Sequence, residues 1–266
     1  MNRIFIGWDS REVDAWQVCH SSMVRRSSMP LDIQPIVLDA VMRRRLYKRP
    51  TGVLTDAQNL SALAELWDTI SDAPMATEFA ISRFLVPWLA PDRAGWALFC
   101  DADFLFLADV AELFAAADPN KALMCVQHAY TPSTARKMDD QEQTRYARKN
   151  WSSLMLWNLG HPAHERLTLD MVNTIPGRDL HRFCWLEDGE IGALDARWNL
   201  LVGEQPVPVD ARALHYTLGV PSMARDSAEA GPWWAEKAIV EANLRNRRAW
   251  SPAIRREIGF LPEGEE

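Results

Sequence analysis

The sequence predicts an α/β fold with a central, mostly parallel sheet flanked by helices. Three observations carry this. The chain opens strand, helix, strand: a β-rich run at 3–7, helical spacing of Val13, Trp16, Val18 and Met23 within 12–28, and a second strand at 31–38. An apolar run at 96–100 ends in two aspartates one residue apart, Asp101 and Asp103, as at the carboxyl edge of such a sheet. The 266 residues are 48% hydrophobic and 24% charged, enough to bury the core of one large domain or two small ones.

The remaining elements follow in order. Residues 39–74 begin with a basic stretch broken by Pro50 and Gly52, which reads as a loop or flap, followed by a weak helix over 57–67. PMATEFAISRFLVPWLAP predicts a helix burying Phe79, Ile81, Phe84, Leu85 and Trp88, closed by Pro91. The strand at 96–100 leads into a helix over 109–117 with Asp109 as N-cap. A strand at 122–127 precedes a polar stretch, 131–150, expected to be a solvated loop or surface helix. Then come a strand at 151–157, a helix at 164–174, a short acidic helix within 185–194, a strand at 213–216, and an amphipathic helix at 233–248 with a basic tail. The expected division is 1–230 for the main domain and 231–266 for the helix and tail packed on it.

The net charge of −7 argues against a general nucleic-acid binder, though a metal or a few arginines could still hold a small anion. Cys19, Cys100, Cys125 and Cys184 are scattered among apolar neighbours with no CxxC, and read as reduced core residues of a cytoplasmic protein. MNRIFIGWDS reads directly as a strand, leaving no signal peptide expected, and no apolar run approaches the roughly 20 residues that span a bilayer. The twelve tryptophans are expected mostly in the core, although tryptophan also stacks on sugars and bases.

Residues i and i+2 of an extended chain point the same way, so Asp101 and Asp103 should converge and repel unless a proton or cation sits between them. Two carboxylates with a third group suit Mg²⁺ or Mn²⁺ held with substrate phosphates; the alternative is a solvated pair capping the next helix. His215, in ALHYTLGVP, is the candidate third ligand, or else a hydrogen-bonded structural histidine, and Gly219 nearby allows close backbone approach. Arg83 lies on an apolar segment and needs a carboxylate or phosphate partner. Glu187, Asp188 and Glu190 could bind sugar hydroxyls or simply enrich a helix N-terminus. Asp9, ending the first strand, could read a base or ribose, or cap the next helix.

Taken in order, IFIGWD, TEFAISRFLVPWL, LFCDADFLFLADVAELF, WSSLMLWNL, LEDGEIGALDARWNLL and ALHYTLGVP resemble the nucleotide-sugar glycosyltransferases of GT-A (Rossmann-like) fold, most closely the family-8-like retaining group. The resemblance covers roughly residues 3–222. It implies a DxD segment, Asp101-Ala102-Asp103, that with His215 binds Mn²⁺ or Mg²⁺. It places Asp9, Arg83, Asp101, Ala102, Asp103, Ser152, Ser153 and Gly219 at the nucleotide-sugar donor, a UDP-sugar being the one expected. Catalytic roles fall to Arg83, which reaches the donor, and Asp188, which contacts the sugar. It further implies transfer with retention of configuration to a glycan, lipid-linked or protein acceptor, in glycan or surface-polysaccharide synthesis of bacterial type. The chain departs from the family pattern at Trp151 and Ser153, where an Asn and a Gly are usual, at Gly189, and at Val220, Pro221 and Ser222 in place of Lys-Pro-Trp. Two alternatives stand beside this reading: a non-catalytic GT-A-like nucleotide-binding protein, and a haloacid-dehalogenase-type phosphatase with Asp101 as nucleophile.

In the tail, tryptophans alternate with Arg245, Arg247, Arg248, Arg255 and Arg256. Such a segment either lies on an anionic membrane, giving peripheral contact at its inner face, or packs on the domain with a solvated basic side.

Overall fold

The computed structural model describes residues 2–54, 65–90, 92–128, 148, 150–223 and 228–245. The chain begins with β1 (Asn2–Gly7), α1 (Val13–Arg26) and β2 (Leu31–Ile36), followed by α2 (Leu38–Arg43). Next come β3 (Thr51–Leu54), β4 (Glu65–Asp68) and β5 (Ala73–Met75), then α3 (Val86–Leu89), β6 (Trp96–Cys100), β7 (Phe104–Phe106) and α4 (Ala111–Ala115). The second half holds β8 (Leu123–Cys125), β9 (Leu154–Asn158), α5 (Leu169–Thr174), α6 (Gly177–His181), β10 (Ile191–Ala193), β11 (Leu200–Leu201), β12 (Ala213–His215) and α7 (Ala230–Arg245).

Six strands form the central sheet in the order β10-β8-β9-β6-β1-β2. Five run one way and only β9 runs against them. The inner strands β1 and β6 are buried on both faces, which is why IFIG and ALFC read as unbroken apolar runs rather than alternating ones. Pro35, which cannot donate to a ladder, is confined to the edge strand β2. A second sheet, β11-β12-β7, grows from the turn after Asp103, and a third, β3-β4-β5, is an antiparallel meander.

Register positions the site. Ile6 pairs with Cys100, so β1 and β6 end side by side and the Asp9 loop and the DxD turn emerge at one edge. Cys100 pairs with Leu154 on the reversed strand, bringing Ser153 beside Asp101. Phe104 pairs with His215, bringing the late histidine beside Asp103 from a segment over a hundred residues on.

Several expectations need correction. The helix expected over 74–91 is largely absent: Pro74 lies in β5, residues 76–81 turn, and Ser82–Leu85 is a 3-10 turn leading into the short α3. Pro87 sits in the first turn of α3, where its missing N–H costs nothing, so it marks a helix start that the apolar spacing concealed. Phe79, Ile81, Phe84 and Leu85 are buried as expected, but Trp88 is half-buried. The weak helix at 57–67 fails where it can be seen: Glu65, Leu66 and Trp67 lie in β4, and 57–64 are outside the described residues. The flap at 39–74 is partly structured by α2, β3 and β4, with Gly52 inside a strand. The acidic stretch at 185–194 is a single 3-10 turn, Asp188–Glu190, running into β10. The helix expected at 164–174 is broken into a 3-10 turn and α5, where Thr168 caps Met171 N–H. Asp109 does accept from the Ala111 N–H, but Val110 holds the N-cap position. Cys184 is exposed, unlike the other three cysteines. Of the polar stretch 131–150, only 148 and 150 are described.

The core is a single cluster around Trp16, Phe99, Trp157 and Trp233. Helix α7 packs on α1: Glu236 accepts from Ser21 Oγ (2.6 Å), Arg25 Nη1 (2.9 Å) and Arg26 Nη1 (3.0 Å), and Lys237 pairs with Asp14. Residues 246–266, with Arg247, Arg248, Arg255 and Arg256, lie outside the described residues. Among the described residues, no helix is long and apolar enough to cross a membrane.

Candidate metal centre and substrate cavity

Asp101, Asp103 and His215 each offer a ligand atom, and the three atoms lie within 4.8 Å of one another. His215 Nε2 is 3.2 Å from Asp103 Oδ1, and Arg83 Nη1 is 2.7 Å from Asp101 Oδ1. Neither contact is aligned as a hydrogen bond. The Oδ1 atoms of both aspartates are buried, and neither accepts a hydrogen bond among the described residues. Burying carboxylate oxygens without hydrogen bonds is costly, and this donor set of two oxygens and one imidazole nitrogen fits a divalent cation.

The backbone around the pair is braced. Asp101 N–H donates to Ser153 C=O (2.9 Å) and Tyr216 N–H to Asp103 C=O (3.0 Å). Burial raises Asp101 to about 6; the Asp103 charge adds to this and Arg83 opposes it. Burial acts in the same direction on Asp103, but His215, a backbone N–H and Arg83 together outweigh it and lower that carboxyl.

Arg83 is buried. Its Nη1 donates to Ser152 C=O (3.0 Å), its Nε donates to Ala80 C=O (3.0 Å), and its guanidinium carbon lies 5.3 Å from the ring centroids of both Phe79 and Phe99. Beneath the triad opens a cavity of about 890 Å³. Asp101, Asp103, His215, Arg83, Ser152, Ser153 and Gly219 line it. Gly219 has φ +107°, a conformation that side chains with a Cβ rarely adopt.

Three expected site residues stand apart from the cavity lining. Ala102 is fully buried within the DxD turn. Asp9 is buried and saturated: Oδ1 accepts from Arg11 N and Nε (both 2.9 Å), and Oδ2 from Arg11 Nη2 (2.6 Å) and Glu78 N (3.0 Å). It organises its own loop and offers nothing to a base. Asp188 is exposed at the surface, paired with Arg148, so the structure does not bring it to the sugar side of the cavity.

Other residues were not legible as site residues. Glu12, just before α1, lines the cavity; burial, with Asp103 and Asp9 adding to it, raises its carboxyl to about 8. His181 Nδ1 lies 2.6 Å from Ser152 Oγ, and burial lowers that imidazole to about 3, too weak a base to activate the serine. Asn199, fully buried, lies 2.8 Å from His215 Nδ1 through its Oδ1. The far wall comes from the small sheet and its flanks, including Ile70, Pro74, Met75, Ala76 and Ile81. It is anchored by Arg49, buried between Asp68 and the Val172 and Ile175 carbonyls (2.8 Å each). No tryptophan lines the cavity among the described residues, and Trp8, Trp16, Trp157, Trp185, Trp198 and Trp233 are core.

No protein-family model matches the chain. It is 43% identical over 253 residues to Protein CDI of Arabidopsis thaliana, an alignment covering 92% of this chain and 89% of that protein. Among solved structures it resembles the glycosyltransferase GlyE of Streptococcus pneumoniae TIGR4 (TM-score 0.53, 14% identity, 94% of this chain and 66% of that one). It also resembles the bifunctional glycosyltransferase WbbM (TM-score 0.55, 13% identity, 97% and 51%) and the galactosyltransferase LgtC crystallised with donor and acceptor sugar analogs (TM-score 0.51, 12% identity, 97% and 100%). The chain thus spans just under two thirds of GlyE and about half of WbbM. These likenesses show a GT-A-like fold.

Proposed function

Given that the chain belongs to the family of Protein CDI of Arabidopsis thaliana and has a GT-A-like fold, we propose that it is a metal-dependent glycosyltransferase. In this reading it moves a sugar from a nucleotide-diphosphate sugar, a UDP-sugar first among them, to an acceptor alcohol. The observation that carries it is the convergence of Asp101, Asp103 and His215, with two unsatisfied buried carboxylate oxygens, on a substrate-sized cavity.

Asp101, Asp103 and His215 would hold Mn²⁺ or Mg²⁺, and a cation bound there supplies charge neutralisation to a departing nucleoside diphosphate. Arg83 fixes Asp101 and Ser152 and adds positive charge at the same end. Gly219 lets the backbone approach the ligand closely. The apolar far wall, with Ile70, Pro74 and Met75, receives the acceptor, for which residues 40–74 and 131–150 are the candidate segments. Retention of configuration belongs to this proposal through the family resemblance. So does peripheral membrane contact through the tail, which predicts weaker binding of anionic vesicles after deletion of 246–266. A phosphatase of haloacid-dehalogenase type would want its aspartates on the first strand of the sheet; here they follow β6.

The test is a thermal-shift panel of UDP, GDP, ADP, UDP-glucose, UDP-galactose and GDP-mannose, each with and without Mn²⁺. A shift by one nucleotide family only with Mn²⁺, followed by sugar release or transfer, supports the enzyme. Mn²⁺-dependent binding with neither hydrolysis nor transfer favours the non-catalytic alternative, and no shift at all overturns the donor assignment.

A further inference from the structure

We infer that Asn199 is a positioning residue that fixes which nitrogen of His215 faces the cation, through a hydrogen-bonded relay ending on a backbone carbonyl. The inference rests on the cation reading above and concerns residues to which that reading gives no such role. Ser153 Oγ lies 2.7 Å from the Asn150 carbonyl oxygen. A carbonyl can only accept, so the single hydroxyl proton of Ser153 is committed to it. Asn199 Nδ2 lies 2.9 Å from the same Ser153 Oγ. With its proton committed, that oxygen can only accept, so the amide must present its NH₂ to Ser153 and its oxygen to the other side. On that other side, 2.8 Å away, is His215 Nδ1. Facing an amide oxygen, Nδ1 must carry a proton, so in the neutral imidazole that a cation requires the lone pair is on Nε2. Nε2 is the nitrogen beside Asp103.

The two inner links, Ser153–Asn199 and Asn199–His215, are buried: Asn199 fully, and Ser153 and His215 nearly so, which limits competition from water there. The relay also gives a physical account of a serine where the family pattern has glycine: without the Ser153 hydroxyl, nothing in it would distinguish the two ends of the Asn199 amide. Asn150, at the start of the relay, has φ +63°, a left-handed conformation that asparagine tolerates better than most side chains. The same short turn presents the Ser153 carbonyl to Asp101 N–H and the Ser152 carbonyl to Arg83. One 3-10 turn, Trp151–Ser153, thereby contacts Asp101, Arg83 and Asn199, and reaches His215 through Asn199. Outer partners that orient a ligating imidazole typically change metal affinity about 10–100-fold when removed.

The experiment measures Mn²⁺ affinity by electron paramagnetic resonance, alone and with UDP, for the wild type, Asn199→Leu, Asn199→Asp and Ser153→Ala. Asn199→Leu should weaken Mn²⁺ binding about 10–100-fold. Asn199→Asp should match or exceed the wild type, because a carboxylate still accepts from Nδ1–H. A merely structural asparagine would be harmed at least as much by the buried charge as by leucine, so this rescue separates the two roles. Ser153→Ala should weaken binding by freeing the amide to turn over. Wild-type affinity in Asn199→Leu, or aspartate as poor as leucine, overturns the inference. Should Asn199→Leu not melt cooperatively, Ser153→Ala decides: weakened binding at an unchanged melting temperature supports the relay, and unchanged binding overturns it. A wild type that binds no Mn²⁺ under either condition overturns the cation reading itself, a different result from variants that bind as the wild type does.

Discussion

The ring of Phe79 lies across Gly7: a Cβ built on Gly7 would stand 2.3 Å from Phe79 Cδ2 and 2.4 Å from Cγ. The same ring packs beneath Arg83. Gly7→Ala must therefore displace a buried aromatic ring, at about 1–3 kcal/mol by the usual cost of overpacking. The denaturation midpoint should fall accordingly. Nucleotide binding should weaken as well, because the displaced ring shifts Arg83.

The Arg49–Asp68 pair is enclosed, with side-chain exposures of 0% and 2%. Arg49→Met strands the Asp68 carboxylate and abandons the Val172 and Ile175 carbonyls. A loss of about 3–5 kcal/mol is expected from urea unfolding. Adding Asp68→Asn should recover part of it, since the uncompensated charge is then gone.

The metal-free chain should be most stable near neutrality, with two opposite slopes on either side. His20, His128 and His164 are lowered from 6.5 to about 4 and His181 to about 3, each chiefly by burial. The unfolded chain therefore binds more protons below pH 6.5, and stability falls as pH drops from there toward 4. Asp101, raised from 3.8 to about 6, and Glu12, raised from 4.5 to about 8, oppose this within their own windows but are two groups against four. Above 6.5 the sign reverses. Glu12, raised from 4.5 to about 8, keeps its proton when folded and loses it when unfolded, so stability falls as pH rises toward 8. Unfolding midpoints in EDTA across this range should show the dome, and Glu12→Gln should flatten its alkaline side.

Asp101→Asn and Asp103→Asn should each abolish the Mn²⁺-dependent part of any nucleotide-induced thermal shift while leaving the chain folded. Each neutralises a carboxylate whose buried Oδ1 accepts no aligned hydrogen bond among the described residues. Asp188→Asn should leave both that shift and stability unchanged, because its carboxylate is exposed and, among the described residues, pairs with Arg148 at the surface. Loss of binding in Asp188→Asn would return Asp188 to the sugar site.

What was legible in the sequence follows from physical period. The buried inner strands β1 and β6 and the late strand β12 are continuous apolar runs bounded by polar residues, and their ends carry Asp101, Asp103 and His215. Arg83 was legible as an arginine on an apolar stretch that had to find partners. The meander β3-β4-β5 was not, because Pro50, Gly52 and Pro74 signal breaks while Trp67 and Met75 show no alternation a short strand could reveal. Asn199 left no periodic trace at all: a lone buried amide between Trp198 and Leu200 shows its role only once the strand register brings Ser153 to one side and His215 to the other. Glu12 read as an ordinary helix-start acid, and only the convergence of β1 with β6 turns it toward two further carboxylates.

Helix α7 has a consequence for the birth of the molecule. Its Glu236 closes onto Ser21, Arg25 and Arg26, partners more than two hundred residues earlier in the chain. During synthesis from the N-terminus, α1 emerges long before α7, and its outer face waits more than two hundred residues for that partner to leave the ribosome. Until then Ser21, Arg25 and Arg26 lack the carboxylate that closes onto them, and the nascent chain is in the state most exposed to wrong partners. A ribosome that pauses before Trp233 would hold a molecule with its Asp101–Asp103 edge already encoded but its first helix still undressed.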